Sequence, residues 1–386
     1  MMNDLADMFF KKFNARAEVI ASAPGRLEIL GNHTDYNEGV VLSCAVTRKT
    51  SAAMRKTNSN KAAIYDMRAD EWCIIDLDNL VYGQNPKWGN YPAGVVSELR
   101  KRAFNTGGFE AVINSTVPLS AGMSSSAAFE TAVLFGLMKL YDLDIAPADA
   151  ARIGQGVENN FMGLKTGLLD QFSSIFGKEN AFILSDFRTV EVLQNVVMQK
   201  GFSIVVVNSM EKHNLVDSAY NERRSSCESA AAKLAARHKN VKTLRDVSND
   251  LLESEKSILS DIEYRRAKHV VNECERVMQA IKFLENGQIA QFGQLWWDSH
   301  ESSRVNFENS TPALDKIVEL SHTLPGAVGA RLSGGGFGGK TIHLVKDDMR
   351  DDYCRNIAGL YKKYCSVEPE MIVCRPGAGA EADFCS

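Results

Sequence analysis

No run of apolar residues in the 386-residue sequence approaches the ~20 that a helix needs to cross a bilayer, which excludes a helical membrane span. The first residues, MMNDLADMFFKKF, lack the long apolar core of a signal peptide and read as a short amphipathic helix. CxxC pairs are missing. The eight cysteines are scattered, as expected for thiols of a reducing cytosol rather than a disulfide framework or a zinc site. The seven histidines are equally dispersed and form no HExxH pair. Low-complexity linkers and internal repeats are absent. A net charge of -4 gives no reason to expect nucleic acid or an anionic membrane as partner. What is present is an ordinary globular composition, 45% apolar and 24% charged, in a chain long enough for two domains.

The first half alternates strand-like and helix-like segments. Strands are expected over 109–117, 181–184, 190–197 and 202–207. A helix is expected over 124–143, where Phe129, Val133, Leu137 and Leu140 fall near helical spacing. A long helical region follows over 214–237, with Leu215, Ala219, Cys227, Ala231 and Leu234 along one side, and a charged helical stretch covers 262–286. Strand-like sequence returns at 341–345 and 371–374. Two domains are assigned, 1–195 and 196–386, with the boundary between Ser185 and Lys200.

The densest chemistry lies in Gly25–Gly39, GRLEILGNHTDYNEG, between the apolar run Val19-Ile20-Ala21 and a strand-like run starting Val40-Val41-Leu42. Arg26, Asn32, His33, Asp35 and Tyr36 supply donors and acceptors of the kind that grip a ligand rich in hydroxyls. A hairpin turn accounts for Asn37-Glu38-Gly39, but not for Arg26 and Asp35. Loops between rigid elements are where such binding groups are expected.

This segment resembles the sugar-binding signature of galactokinases, in the GHMP class of small-molecule kinases, which usually reads GRVNLIGEHTDYNGG. Glu28 stands where that family has Asn, and Asn32 where it has a Glu that faces the sugar. The resemblance implies an α+β, two-domain GHMP-kinase fold. Its parts are an N-terminal mixed-sheet domain and a C-terminal ferredoxin-like α/β sandwich domain, with the active site in the cleft between them. It also implies ATP and Mg2+ as cofactors.

Pro118 to Ala128, PLSAGMSSSAA, sets small residues and three serines directly before a helix. A helix N-terminus presents unpaired N–H groups and partial positive charge, and small side chains let phosphates approach the backbone. A serine N-cap on an ordinary helix is the alternative. The string resembles the second GHMP-kinase motif, PxGxGLSSSAA, with Ser120 replacing its first Gly and Met123 its Leu. By resemblance, Gly122, Ser124, Ser125 and Ser126 bind ATP and Ser126 is also a magnesium ligand.

Gly334 to Thr341, GGGFGGKT, satisfies both the Walker A pattern and GxGxxG. Both require a helix next, whereas Thr341 to Val345 reads as a strand, so both matches are taken as accidental. The wider string from Gly329 to Gly339 resembles the third galactokinase motif, GxRMTGxGFGGC. Lys340 occupies its Cys position and is expected in solvent, with an ammonium that helps hold phosphate as the alternative.

Thr166 to Phe172, TGLLDQF, resembles the family's CGIMDQF. Phosphorylating a sugar hydroxyl needs a nucleophilic oxygen, aligned phosphates and charge neutralisation. By resemblance Asp170 accepts the proton of the anomeric hydroxyl, or positions and polarises it, while Arg26 stabilises charge on the transferring phosphoryl group. Glu158 completes the magnesium site with Ser126. Asn32, His33, Asp35, Gly167 and Tyr220 bind the sugar, Tyr220 from a segment, Ser218 to Arg224, that is similar to the SEYNxRR helix. Trp88-Gly89-Asn90-Tyr91 resembles a further galactokinase segment and is assigned to packing. Matches run from Gly25 to Gly339 in the family's order.

The expected reaction is ATP plus galactose giving galactose 1-phosphate and ADP. Replacing a carboxylate acceptor by the neutral Asn32 is worth on the order of tenfold in affinity. A C6 carboxylate, as in galacturonate, would be repelled by Glu and accepted by Asn. A related sugar 1-kinase acting on galacturonate or arabinose is therefore one alternative, and a non-catalytic sugar sensor another. The oligomeric state is not written in the sequence; a monomer is the default.

Overall fold

The computed structural model describes residues 2–119, 122–211 and 216–385. Ser120, Asn214 and Leu215 lie outside these, as does the side chain of Ser218. The chain begins α1 (Met2–Phe13), β1 (Val19–Leu30), β2 (Val40–Thr57), β3 (Lys61–Asp66), β4 (Glu71–Asp76), α2 (Asn90–Lys101) and β5 (Gly108–Ser115). It continues α3 (Ser125–Tyr141), α4 (Pro147–Gly156), α5 (Leu169–Phe176), β6 (Ala181–Asp186), β7 (Glu191–Val197) and β8 (Phe202–Asn208). Among the described residues five helices precede the next strand: α6 (Val216–Ala235), α7 (Asn249–Ser254), α8 (Asp261–Glu285), α9 (Ile289–Ser302) and α10 (Pro312–Thr323). The last elements are β9 (Ala327–Leu332), β10 (Lys340–Lys346), α11 (Arg350–Cys365), β11 (Glu370–Cys374) and β12 (Glu381–Phe384).

The first sheet has eight strands in the order β12-β1-β2-β5-β3-β4, with β6 added beside β2 and β7 beside β6. It is mixed because β3 and β5 run parallel while the other pairs are antiparallel. The eighteen-residue β2 is its spine, pairing with β6 through Val40–Ser43 and with β5 through Thr50–Thr57. The second sheet is antiparallel, in the order β11-β8-β10-β9. Its strands run first, second, third and fourth along the chain, so the spatial order is 4-1-3-2, with helices before the second strand and between the third and fourth. That is the ferredoxin-like arrangement expected of the C-terminal half.

Burial explains the continuous apolar run of β8. Ile204 and Val206 pack with Phe292, Leu295 and Trp296 of α9 and with Leu27 and Ile29 of β1. Val205 and Val207 point the other way, against Ile317 of α10 and Tyr353, Ile357 and Tyr361 of α11. The core that includes Leu27 and Ile204 therefore joins the two halves directly beneath the cleft.

One expectation needs correction. The apolar run at Val19 does not stop before the signature. The strand β1 continues to Leu30, so Arg26 and Glu28 are strand residues rather than loop residues. The reason lies in the period of two. Leu27 and Ile29 enter the core while Arg26 and Glu28 share the opposite face toward the cleft. Only 31–39 form the connection to β2, with a single 3-10 turn at Asp35–Asn37.

Candidate active site

The strand β1 meets the serine loop at Gly25. A Cβ there would stand 2.6 Å from the Met123 carbonyl oxygen, so only glycine allows the approach. The Arg26 N–H then donates to that same carbonyl at 3.1 Å. Its guanidinium reaches Asp170 Oδ1 through Nε at 2.8 Å and Nη2 at 2.6 Å, and donates from Nη1 to the Gly122 carbonyl at 2.7 Å. Asp170, in the first turn of α5, accepts from Ser124 Oγ at its other oxygen. Ser124 therefore does not cap α3 with its side chain. It sits in the left-handed region at φ 52 and gives its hydroxyl to Asp170 instead.

Two cavities meet at this pair. The smaller, about 460 Å³, is lined by Arg26, Glu28, Asn32, His33, Asp35, Thr166, Gly167, Leu169, Asp170, Tyr220, Gly334 and Gly335. The larger, about 1620 Å³, is lined by Gly122, Ser124, Ser125, Ser126, Glu211, the glycines from Gly334 to Gly339, Lys340 and Glu370 among others. Arg26, Asp170, Gly334 and Gly335 belong to both. Every residue assigned from the sequence to sugar binding lines the first, and the assigned serine-loop residues line the second.

In the smaller cavity Asp35 is half-buried, and loss of solvent raises its carboxyl to about 6. Asp35 Oδ2 accepts from the Leu169 N–H at 3.4 Å. Gly167 packs on the same carboxylate so closely that an added Cβ would fall 1.6 Å from Oδ2. His33 Nε2–H donates to the Gly335 carbonyl at 3.0 Å, which leaves Nδ1 to accept from Tyr36 Oη at 2.9 Å. Burial lowers this imidazole to about 3, so it is neutral at physiological pH. Its ring lies 5.2 Å from that of Tyr220, which lines the same cavity and whose hydroxyl makes no hydrogen bond among the described residues.

Ser126 and Glu158 also come together: Ser126 Oγ donates to Glu158 Oε1 at 3.2 Å. Glu158 sits where α4 widens into a π turn, Val157–Phe161, a local distortion often found at functional sites. Burial, with Asp170 second, raises its carboxyl above the ordinary range. Among the described residues no group of three or more His, Cys, Asp or Glu could hold a metal alone. A hydroxyl and a carboxylate fit a hard ion that takes its other ligands from phosphate and water. Trp88 and Tyr91 pack against Phe129, each with ring centroids 6.1 Å apart, as the packing assignment expected.

Sequence reasoning missed the groups that hold the signature from behind. Glu273 of α8 accepts from the N–H groups of Gly31 at 3.0 Å and Asn32 at 2.9 Å. Burial works to raise its carboxyl, but Arg276, His269 and Arg331 outweigh it and hold it at about 2. One helical turn earlier, His269 Nε2 donates to the Asn32 carbonyl at 3.1 Å. Both sit on the buried face of the charged helical stretch expected over 262–286. Lys340 is a second correction. It is 1% exposed, because the glycine loop turns back and β10 starts inside the cavity.

Residues 7–56 match the galactokinase galactose-binding signature, 90–178 the N-terminal domain of GHMP kinases, and 280–356 their C-terminal domain. The galactokinase of Clostridium beijerinckii is 36% identical over 376 residues, covering 96% of each chain. The chain belongs to the galactokinase family. The galactokinase of Mannheimia succiniciproducens is 37% identical, covering 97% of this chain and 98% of that one. A crystal structure of Lactococcus lactis galactokinase complexed with galactose matches with a TM-score of 0.93 at 28% identity, over 98% of this chain and 99% of that chain. A mevalonate kinase crystal structure, at TM-score 0.60 and 16% identity, shares the fold. The two-domain GHMP-kinase fold and a sugar-kinase activity are thereby established, and GHMP kinases use ATP.

Against the galactokinase signature, Glu28 and Asn32 are a reciprocal exchange. Asn32 is fully buried. Its Nδ2 donates to Glu28 Oε1 and the Gly334 carbonyl, both at 2.8 Å, and its Oδ1 accepts from Asn309 Nδ2 at 3.0 Å and Ser303 Oγ at 3.4 Å. Protein groups thus take all its hydrogen-bonding capacity. Glu28 Oε1 also accepts from buried Arg331 at 3.0 Å. Its Oε2 has no partner among the described residues, and Glu28 lines the sugar-side cavity. Burial raises this carboxyl, opposed by Arg331 and Arg26.

Proposed function

We propose that the enzyme transfers the γ-phosphoryl group of ATP to the anomeric hydroxyl of galactose, with galactose in the smaller cavity and the nucleotide in the larger one. The observation that carries this reading is the Arg26–Asp170 pair, which belongs to both cavities. A bond forms between O1 of the sugar and phosphorus while the bond to ADP breaks. Asp170 takes or orients the hydroxyl proton, and Arg26 stabilises charge on the phosphoryl group as it passes between the cavities. Asp35, Tyr220 and the backbone at Gly167 bond the sugar, while His33, with both ring nitrogens occupied, offers its ring face as a wall. Asn32 acts on the sugar by holding Glu28. Gly122, Ser124, Ser125 and Ser126 line the phosphates. Ser126 and Glu158 would hold magnesium, which supplies charge neutralisation on the phosphates when bound.

Glu28, Asp35 and Asp170 give the sugar-side cavity three carboxyl groups, so a C6 carboxylate would meet repulsion. That favours galactose over galacturonate, and the intact Arg26, Ser126, Glu158 and Asp170 set argues against a silent sensor. We place the domain boundary in the 198–201 connection between β7 and β8, a few residues past the 195/196 division read from the sequence, with β12 returning to the first sheet. The eight unpaired cysteines support a reducing, cytoplasmic setting. Among the described residues no helix is long and apolar enough to cross a membrane.

The test is ADP formation with galactose, galacturonate, arabinose, glucose and N-acetylgalactosamine, in wild type and Asp170→Ala. Turnover of galactose well above the others, lost in the variant, is expected. Preference for galacturonate overturns the substrate assignment. Sugar binding without turnover, unchanged by the substitution, overturns the reaction.

A further inference from the structure

Lys340 is the buried charge that the reaction above leaves without a task. It opens β10 at the wall of the larger cavity, at a position where the galactokinase motif carries Cys. Its ammonium donates to the Gly122 carbonyl, the same oxygen that accepts from Arg26 Nη1. Two cations therefore converge on one carbonyl oxygen at the head of the serine loop. They differ in one respect. Arg26 has a carboxylate partner in Asp170, whereas Lys340 makes no ion pair among the described residues.

The titratable groups that surround Lys340 come from several elements. Arg26 and Glu28 lie on β1, Cys44 on β2, Asp170 on α5 and Cys374 on β11. Asp170 is bonded to Arg26 and Ser124, and Glu28 Oε1 to Arg331 and Asn32, and neither carboxylate forms an ion pair with Lys340 among the described residues. Burial first, then Arg26, pushes the ammonium well below its ordinary range. A buried cation with one carbonyl acceptor and no counter-ion is costly unless an anion completes the site. An ammonium has three donors, of which the protein occupies one.

We propose that Lys340 is a phosphate-binding residue, which contacts the polyphosphate of the nucleotide from the glycine-loop side of the cavity, opposite Ser124–Ser126. Its missing counter-ion is the substrate's own charge. This rests on the larger cavity being the nucleotide site. Lys340 thus adds a point cation to a loop otherwise built from backbone N–H groups and hydroxyls, and the chain's departure from the family Cys becomes a gain in phosphate affinity.

The experiment is calorimetric titration of the full-length wild type, Lys340→Met and Lys340→Cys with ATP, ADP and adenosine, with galactose titrated as a control for the fold. Cys is the residue the family carries here, so that variant fits the architecture. The expected result is ADP and ATP affinity weakened by about ten- to a hundredfold in both variants, with adenosine and galactose unchanged. Affinity for ADP within twofold of wild type in Lys340→Cys overturns the proposal. So does an equal loss for adenosine and ADP, which identifies a lysine that merely ties down the loop. A wild type that binds galactose but neither ATP nor ADP removes the nucleotide reading itself, a result distinct from any difference among the variants.

Discussion

Glu28 Oε1 accepts a 2.8 Å hydrogen bond from Asn32 Nδ2, and the two side chains occupy each other's places relative to the galactokinase signature. The carboxylate has moved four residues along the chain without leaving the cavity wall. The neutral amide has taken the inner position, where Ser303 and Asn309 satisfy its oxygen.

Because the two positions are coupled, single substitutions and the double one should not add. Glu28→Asn leaves buried Arg331 without its carboxylate, a loss of about 3–5 kcal/mol for a broken buried pair. Asn32→Glu crowds two carboxylates together. The double variant Glu28→Asn/Asn32→Glu restores one carboxylate and one amide, and should recover about 1–3 kcal/mol of coupling. Chemical denaturation and galactose KM measured across the four proteins check this. Strict additivity would show that the exchange is incidental.

The Asp35 carboxyl, raised to about 6 from an ordinary 3.8, ties sugar binding to pH. Between those values the folded protein holds a proton that the unfolded chain has released. This contribution to stability is fully present below 3.8 and is lost as pH rises through 6. Sugar binding runs the opposite way, since the ionised carboxylate is the stronger acceptor. Galactose KM should fall as pH rises through about 6, and Asp35→Asn should remove that inflection from the pH profile.

Gly167→Ala should act on the sugar alone. Its Cβ would fall 1.6 Å from Asp35 Oδ2, so the carboxylate or the 166–168 backbone must shift, at about 1–3 kcal/mol for an overpacked site. Galactose KM should rise by roughly ten- to a hundredfold. ADP affinity, measured separately, should stay at the wild-type value because Gly167 does not line the larger cavity.

Glu158→Gln and Ser126→Ala should each raise the magnesium concentration needed for half-maximal turnover by at least about tenfold. Titrating magnesium at fixed ATP and galactose reads this directly. A requirement unchanged in both variants would remove these residues as ligands.

The strongest parts of the fold and site were legible because they are local. The β8 run, the α3 helix after the serines, and the strand after the glycine loop follow from periodicity and neighbouring residues. The Walker A match failed on that same local test, since Lys340–Lys346 is a strand. What escaped notice depends on contacts between distant segments. Nothing near Ser124 indicates that its hydroxyl bonds a carboxylate 46 residues away rather than capping its own helix. Glu273 and His269 look like solvent-facing charge until the signature's backbone is laid against them. Lys340 looks exposed by type, and only the return of the glycine loop buries it. The Glu28 and Asn32 exchange was visible as two substitutions, but its reciprocity needed the hydrogen bond.

The pairing of β12 with β1 sets an order of events during synthesis. Ser22 and Glu381 are hydrogen-bonded across 359 residues of chain, at the root of the strand that carries Arg26. A chain growing from N- to C-terminus must therefore keep that edge open until the 359-residue separation has been spanned. Open edges recruit foreign strands. The reactive strand is thus translated well before it is enclosed, and deleting 381–384 should show itself first as aggregation of newly made protein.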